Sequence, residues 1–107
     1  MVSMDSPITG PHHITLVSGN YLVNRRFYTE VLGLKQVKLS VNQDDIFHRH
    51  VFYANPMKTV GSTITFFEWP YLPMGYPGLG SPHHLAYKAG SIDALAKWYA
   101  WLKSNNV

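Results

Sequence analysis

Residues 11–19 read PHHITLVSG and residues 82–90 read PHHLAYKAG, so a similar nine-residue segment occurs twice in the chain. Both copies begin with Pro-His-His, continue through β-forming residues and end at a glycine. An aromatic pair follows each copy at the same offset, Phe27-Tyr28 after the first and Trp98-Tyr99 after the second. The repeat therefore predicts two units that each begin with a strand, a turn and a helix.

The first copy opens the longer of the two units. Loose alternation of apolar residues over 13–18 predicts a strand, and Asn20 is a candidate N-cap for a helix that Gly33 ends. Three more strands are predicted from alternation between turn-forming residues, at 37–41, 47–53 and 63–69. The first unit therefore has the order β-α-β-β-β.

The second unit is shorter. Residues 70–82, PYLPMGYPGLGSP, hold four prolines and three glycines and predict a loop. A strand at 84–89 and a helix with Ser91 as its N-cap follow. We predict a flexible N-terminus at 1–10, a first module at 11–81 and a second module at 82–107 that lacks about three strands when compared with the first.

Composition and charge exclude several classes of function. The net charge of +3 is scattered, with Arg25-Arg26 as the only adjacent basic pair, so no nucleic-acid partner is expected. No apolar run reaches about 18 residues and the first residues do not resemble a secretory signal, so no membrane partner is expected. The chain has no cysteine, which excludes disulfides and thiolate ligands and suits a cytoplasmic location.

The histidines are the clearest candidates for chemistry, since four of the six lie in the two His-His pairs. If the sheet curves into a half-barrel, one histidine of each pair is expected to point inward and its neighbour outward or toward the rim. Two such strands side by side could bring two imidazoles together. Two histidines with one carboxylate suit Fe(II) chemistry. The alternative is that the His-His pairs lie in the core or on the surface without a role in catalysis or binding.

Two further positions are candidates for the same site. His48 and His50 lie two apart on the third predicted strand and share a face with Phe52, which could be a polar cavity wall or a solvated outer face. Glu68 shares a face with Ile64 and Phe66. Its carboxylate is a candidate ligand or general base, and the alternative is that it simply ends the strand.

Five stretches of the sequence together resemble one known group of proteins. They are PHHITLVSGN, FYTEVLGL, KQVKLSVNQDD, HVFYAN and TITFFEWP. Their combination resembles the vicinal-oxygen-chelate superfamily, and within it the hydroquinone-type extradiol dioxygenases. FYTEVLGL is shared widely across the superfamily, whereas HHIT, VNQDD and TFFxWP together are much more specific.

The resemblance implies an α+β fold of β-α-β-β-β modules, paired so that curved mixed sheets, with helices on their outer faces, enclose a divalent metal. It implies Fe(II), with Mn(II) or Zn(II) as alternatives, and an aromatic diol and dioxygen as substrates. By the same resemblance, His13 and His84 are metal ligands and His12 and His50 are catalytic or pocket residues. Glu68 is a candidate third ligand, although close relatives often have proline at that position.

Three functions remain open on the sequence alone. The first is a ring-cleaving dioxygenase, of which this chain is the N-terminal part. The second is a glyoxalase-type lyase or isomerase that uses the metal to stabilise an enediolate. The third is a non-catalytic module that binds a small ligand. In each case an incomplete sheet exposes strand edges, so we expect a homo-oligomer or completion by further modules.

Overall fold

The structure is a computed structural model that describes residues 7–107. These residues form two compact units that divide between Leu72 and Pro73, inside the predicted proline- and glycine-rich loop. The first unit carries a four-stranded sheet and a short helix, and the second carries one longer helix. Most of the predicted flexible segment at 1–10 lies outside the described residues.

The first unit has the predicted β-α-β-β-β order. Its elements are β1 (His13–Ser18), α1 (Tyr21–Arg26), a π-helical turn (Phe27–Val31), β2 (Lys35–Val41), β3 (Arg49–Ala54) and β4 (Thr63–Glu68). The strand order is β1-β4-β3-β2, with β1 parallel to β4 and the other neighbours antiparallel. The α+β class and the curved, mixed and open sheet are thus as predicted, with β1 and β2 at its edges.

The first helix begins and ends as predicted, but its second half is π-helical. The Val23 amide donates to Oδ1 of Asn20 at 3.1 Å, which confirms the N-cap. The Leu32 amide donates to the Phe27 carbonyl, five residues back, so the last turn is π-helical and not α-helical. Gly33 then adopts a φ of 72°, which ends the helix in the left-handed region that favours glycine.

One face of the sheet carries the core of the first unit, and we call it the core face. Its fully buried apolar side chains come from β3 and β4, and they are Val51, Tyr53, Ile64 and Phe66. The π-helical turn covers this face through Tyr28, whose ring stacks on Tyr53 with centroids 5.3 Å apart. Burial of these aromatic rings is the main apolar contribution to the stability of the sheet.

The second unit contains α2 (Ile92–Ser104), and its predicted N-cap is confirmed, since the Ala94 amide donates to Oγ of Ser91 at 3.0 Å. The strand predicted at 84–89 is wrong. Those residues form no ladder with any strand among residues 7–107. A strand is defined by its hydrogen-bonded neighbour, and a β-forming sequence without such a neighbour stays irregular.

Neither helix in residues 7–107 has both the length and the apolar character that crossing a membrane requires.

Candidate functional site

The side of the sheet opposite the core face carries the candidate site, and we call it the histidine face. Because side chains alternate along a strand, the pairing register places several of them there, and those that form the candidate site are His13, Thr15, His50, Phe52, Thr65 and Phe67. Thr15 lies opposite Thr65, and Thr65 lies opposite Phe52. Three neighbouring strands thus bring two histidines, two threonines and two phenylalanines onto one surface.

His13 is the first residue of β1 and is exposed on the histidine face. The centroid of its ring lies 6.3 Å from that of Phe52, so the two rings are neighbours on this face. An exposed imidazole at a strand start is free to bind a ligand or a metal.

His12 lies directly before β1 and contacts His13. Its Nδ1 lies 2.9 Å from Nδ1 of His13, and the two rings meet edge to face with centroids 5.1 Å apart. Because His12 precedes the strand, strand alternation does not govern the direction of its side chain. With His13 as the hydrogen-bond donor, its Nε2 keeps a lone pair for a metal.

The second His-His pair repeats this geometry within the second unit. Nδ1 of His83 lies 2.9 Å from Nδ1 of His84, and the ring centroids are 5.2 Å apart at an interplanar angle of 90°. The repeat in sequence is therefore also a repeat in local structure. The role of His84 as a metal ligand remains a prediction.

His50 lies at the centre of the histidine face. Its Nε2 is 2.9 Å from Oγ1 of Thr65, which is fully buried, and Oγ1 of Thr65 lies within hydrogen-bond distance of Oγ1 of Thr15, at 2.7 Å. The imidazole contacts the rings of Phe52 and Phe67, each with its centroid 4.2 Å away. His50 is therefore held by one hydrogen bond and two aromatic contacts.

The electrostatics of the histidine face favour a neutral His50. Burial lowers the pKa of His50, and the nearby charges of His13 and Lys38 lower it further. Nζ of Lys38 also lies 5.2 Å from the centroid of the Phe52 ring, in the range of a cation–π contact. This surface therefore carries positive charge at its rim and an uncharged imidazole near its centre.

Glu68 lies on the core side of the sheet and not with the histidines. It is paired with Ser18 at the end of β4, in register with Ile64 and Phe66 as the sequence predicted. Its Oε2 accepts the Tyr21 amide at 2.6 Å, and its Oε1 lies 3.5 Å from Nε of Arg49. These contacts give the carboxylate a structural role at the start of α1, and they do not support its prediction as a partner of His13.

Within residues 7–107, no group of three or more histidine, aspartate or glutamate side chains lies close enough together to hold a metal ion. His13 and His50 share a face, whereas Glu68 projects from the other side of the sheet. The described residues can thus provide part of a metal site but not a complete set of ligands.

Sequence reasoning missed Thr15, Thr65 and Phe67 as members of the site, whereas it had already placed Phe52 on the face of His50. The alternation that placed Glu68 with Ile64 and Phe66 also puts Thr65 and Phe67 on the opposite face of β4. The sequence of this strand alone was therefore enough to predict that Thr65 and Phe67 share a face. The contact of Thr65 with Thr15 required the parallel pairing of β1 with β4, which joins segments about 50 residues apart in sequence.

Comparison with known proteins gives one consistent family. The model of the Glyoxalase/Bleomycin resistance protein/Dioxygenase superfamily matches residues 10–107. The Bacillus subtilis protein named "Putative ring-cleaving dioxygenase MhqA" is 35% identical over 91 residues, which cover 85% of this chain and 29% of the relative. The one named "Putative ring-cleaving dioxygenase MhqO", from the same organism, is 38% identical over 98 residues, covering 92% of this chain and 31% of the relative.

The fold agrees with these sequence matches. A crystal structure described as a putative dioxygenase from Bacillus subtilis superposes with a TM-score of 0.76 at 36% identity. The match covers 92% of this chain and 31% of that one. The chain therefore spans about three tenths of the length of these relatives.

Proposed function

This chain belongs to the glyoxalase/bleomycin resistance protein/dioxygenase superfamily, and on that basis we propose that it forms part of a divalent-metal-dependent ring-cleaving dioxygenase. Its substrates are an aromatic diol, such as a hydroquinone or a catechol, and dioxygen. The names of the matched relatives support the reaction class. The remainder of the active site comes from further modules or from a second copy of the chain.

The observation that carries this proposal is the composition of the histidine face. An aromatic diol offers a flat ring and two hydroxyl groups. Phe52 and Phe67 offer apolar rings to the first, and His13 and His50 offer imidazole nitrogens to the second. A surface of this composition suits a small aromatic molecule better than a charged or extended one.

The described residues fit a metal only in part. Open-site Fe(II) is commonly held by two histidines and one carboxylate, and His13 suits one of the histidine positions. Glu68 does not suit the carboxylate position beside it, because its oxygens are engaged by Tyr21 and Arg49 on the opposite side of the sheet. Bound Fe(II), or alternatively Mn(II) or Zn(II), would supply open coordination positions for the diol and dioxygen.

The chain's own groups then bind and orient the substrate. His12 lies against His13 and is placed to hydrogen-bond a diol hydroxyl next to the metal. His50 is uncharged at neutral pH and is placed to accept a proton from the substrate. Phe52 and Phe67 exclude water from one side of the substrate ring.

We further propose that the protein self-associates. The sheet is open at β1 and β2, and an unpaired strand edge readily pairs with another copy. Large apolar side chains of α2 are also exposed, and they are Ile92, Leu95 and Tyr99. A single folded chain in solution, measured by light scattering, would contradict this.

Oxygen uptake tests the proposed reaction. The protein is loaded anaerobically with Fe(II) and then given oxygen with hydroquinone or catechol. We expect diol-dependent oxygen consumption that H13A abolishes and E68Q preserves, since only His13 is assigned to the metal. An H13A variant as active as the wild type would refute the assignment of His13 to the metal, and an iron-loaded oligomer that consumes no oxygen with either diol would refute completion of the site by a second copy.

A further inference from the structure

We propose that Lys38 is a further binding residue of the histidine face, and that its ammonium holds the ionised form of a bound phenol or diol. The inference rests on the proposed function for the identity of the natural ligand. The preference for a phenolate is a property of the protein without metal or oxygen, so it can be tested separately from ring cleavage.

The pairing register extends the histidine face onto β2. Lys38 lies directly opposite Phe52, and Ser40 lies directly opposite His50. Residues directly opposite each other in an antiparallel pair project from the same side of the sheet, with Cβ atoms about 4.5–5.5 Å apart. The backbone alone therefore places Lys38 beside the aromatic part of the candidate site, whichever rotamer its side chain adopts.

The side chain of Lys38 lies over the aromatic part of this face. Its Nζ is 5.2 Å from the centroid of the Phe52 ring, and that ring in turn contacts the imidazole of His50, with centroids 4.2 Å apart. The four-carbon stem of a lysine is flexible. The ammonium can thus move from the Phe52 ring to an oxygen at the edge of a bound ring without a change in the backbone.

No carboxylate of the sheet offsets the charge of Lys38. Glu68 is the one acidic residue in β1–β4, and it lies on the core side. None of the ion pairs formed within residues 7–107 involves Lys38. Within the part of the chain that the structure describes, the negative charge that this ammonium can pair with is therefore that of a ligand.

His50 reports the electrostatic field of this surface. Burial is the largest cause that lowers the pKa of His50, and the positive charges of His13 and Lys38 lower it further. A positive field disfavours a group that becomes positive and favours a group that becomes negative. The field that opposes protonation of His50 therefore promotes ionisation of a phenol bound beside it.

The bound phenol loses one proton. Its O–H bond breaks, the electron pair stays on the oxygen, and the proton passes to the imidazole of His50. Because its pKa is lowered, His50 releases that proton to water and returns to its neutral form. Lys38 keeps its own proton throughout and donates a charge-assisted hydrogen bond to the phenolate oxygen.

The test uses 4-nitrophenol, whose phenolate is yellow and whose uncharged form is not, with the metal-free protein at low salt. A pH titration of the bound probe gives its pKa on the protein. We expect that pKa to be higher on K38Q than on the wild type by about 0.5–1 unit, a loss of roughly 3–10-fold in the preference for phenolate. K38R should retain the wild-type value, because it keeps the charge.

Two controls separate Lys38 from net charge and from packing. R26Q removes one positive charge from α1, which packs against the core face through Tyr21, and should leave the pKa of the bound probe unchanged. The methyl ether 4-nitroanisole has no hydroxyl to ionise and should bind equally to the wild type and K38Q. Since Lys38 is exposed, its replacement should leave the fold intact.

Each outcome decides the proposal. The same pKa for 4-nitrophenol on the wild type and on K38Q, or an equal rise on R26Q, would overturn it. A protein that binds neither probe would also overturn it, because the histidine face would then hold no aromatic ring. A phenolate preference that K38Q loses supports the role of Lys38 even if the iron-loaded protein consumes no oxygen, so the two proposals can fail separately.

Discussion

The backbone N–H of Tyr21 donates to Oε2 of Glu68 at 2.6 Å, which ties the first residue of α1 to the last residue of β4. The amides in the first turn of a helix have no partner within the helix, so a carboxylate at this point satisfies one of them and also favours the helix dipole. Arg49 lies 3.5 Å from the other oxygen of Glu68. Glu68 thus joins the helix to the sheet.

We expect E68A to lower the free energy of unfolding by about 1–2 kcal/mol, in the range found for the loss of a helix cap or a charged hydrogen bond. E68Q should lose less, because its amide oxygen can still accept from Tyr21. Urea denaturation measures both changes. The matched control is E30Q, which removes the exposed pair with Arg26 and should change stability by less than about 0.5 kcal/mol. Equal effects of E68A and E30Q would contradict the structural role of Glu68.

The hydroxyl of Tyr53 gives a second prediction, because it donates to Oδ1 of Asn24 at 2.8 Å inside the core. Burial raises the pKa of Tyr53 well above its usual value, so this hydroxyl is protonated at neutral pH and remains a hydrogen-bond donor. Y53F leaves the Asn24 amide without its partner and should cost about 1–3 kcal/mol by urea denaturation. Y99F, at an exposed position of α2, is the control and should be neutral. A neutral Y53F would show that the bond contributes nothing.

A third prediction concerns the end of the first helix. Gly33 has a φ of 72°, and a Cβ built there meets no atom within 4 Å, so the only cost of a side chain is the backbone conformation. G33A should therefore destabilise the protein by about 1–2 kcal/mol. G19A has equal space around its Cβ and no left-handed backbone, so it serves as the control. Thermal unfolding of the two variants should differ, and equal midpoints would contradict the assignment of Gly33 as the helix stop.

The pH dependence of stability gives a fourth prediction. Burial, followed by the charges of His13 and Lys38, lowers the pKa of His50 in the folded state. The unfolded chain therefore binds this proton more readily, and stability is lost as the pH falls from about 6.5, the ordinary pKa of histidine, to the lower folded value. Replacing His50 with phenylalanine removes that slope. Urea midpoints measured from about pH 7.5 to pH 5 should fall less steeply in H50F than in the wild type, and parallel curves would refute the shift.

The sequence predicted the elements that local chemistry decides. Asn20, Ser91 and Gly33 mark helix ends in both the sequence and the structure, because capping needs only neighbouring residues. The strands predicted at 13–18 and 63–69 from residue types and alternation match β1 and, to within one residue, β4. These features depend on spans of a few residues and could be predicted without the fold.

Features that depend on distant partners could not be predicted in the same way. The segment 84–89 has a strand-like sequence but no neighbouring strand to bond with. Glu68 was correctly grouped with Ile64 and Phe66, but only the parallel pairing of β1 with β4 shows that His13 projects from the other side. The candidate site was therefore predictable in its histidines and in Phe52, and not in Thr15, Thr65 and Phe67, which other strands contribute.

The most direct test of the central claim is metal content, measured by elemental analysis on protein purified without chelators and paired with its mass in solution. We expect about one iron, manganese or zinc per chain or per dimer, held by His13 together with ligands that a second copy or further modules supply. The metal should be lost in H13A and kept in E68Q, and H84A decides whether the second His-His pair contributes. A metal-free wild-type oligomer, or a metal content that H13A does not change, would contradict the claim that the histidine face is part of a metal-dependent site.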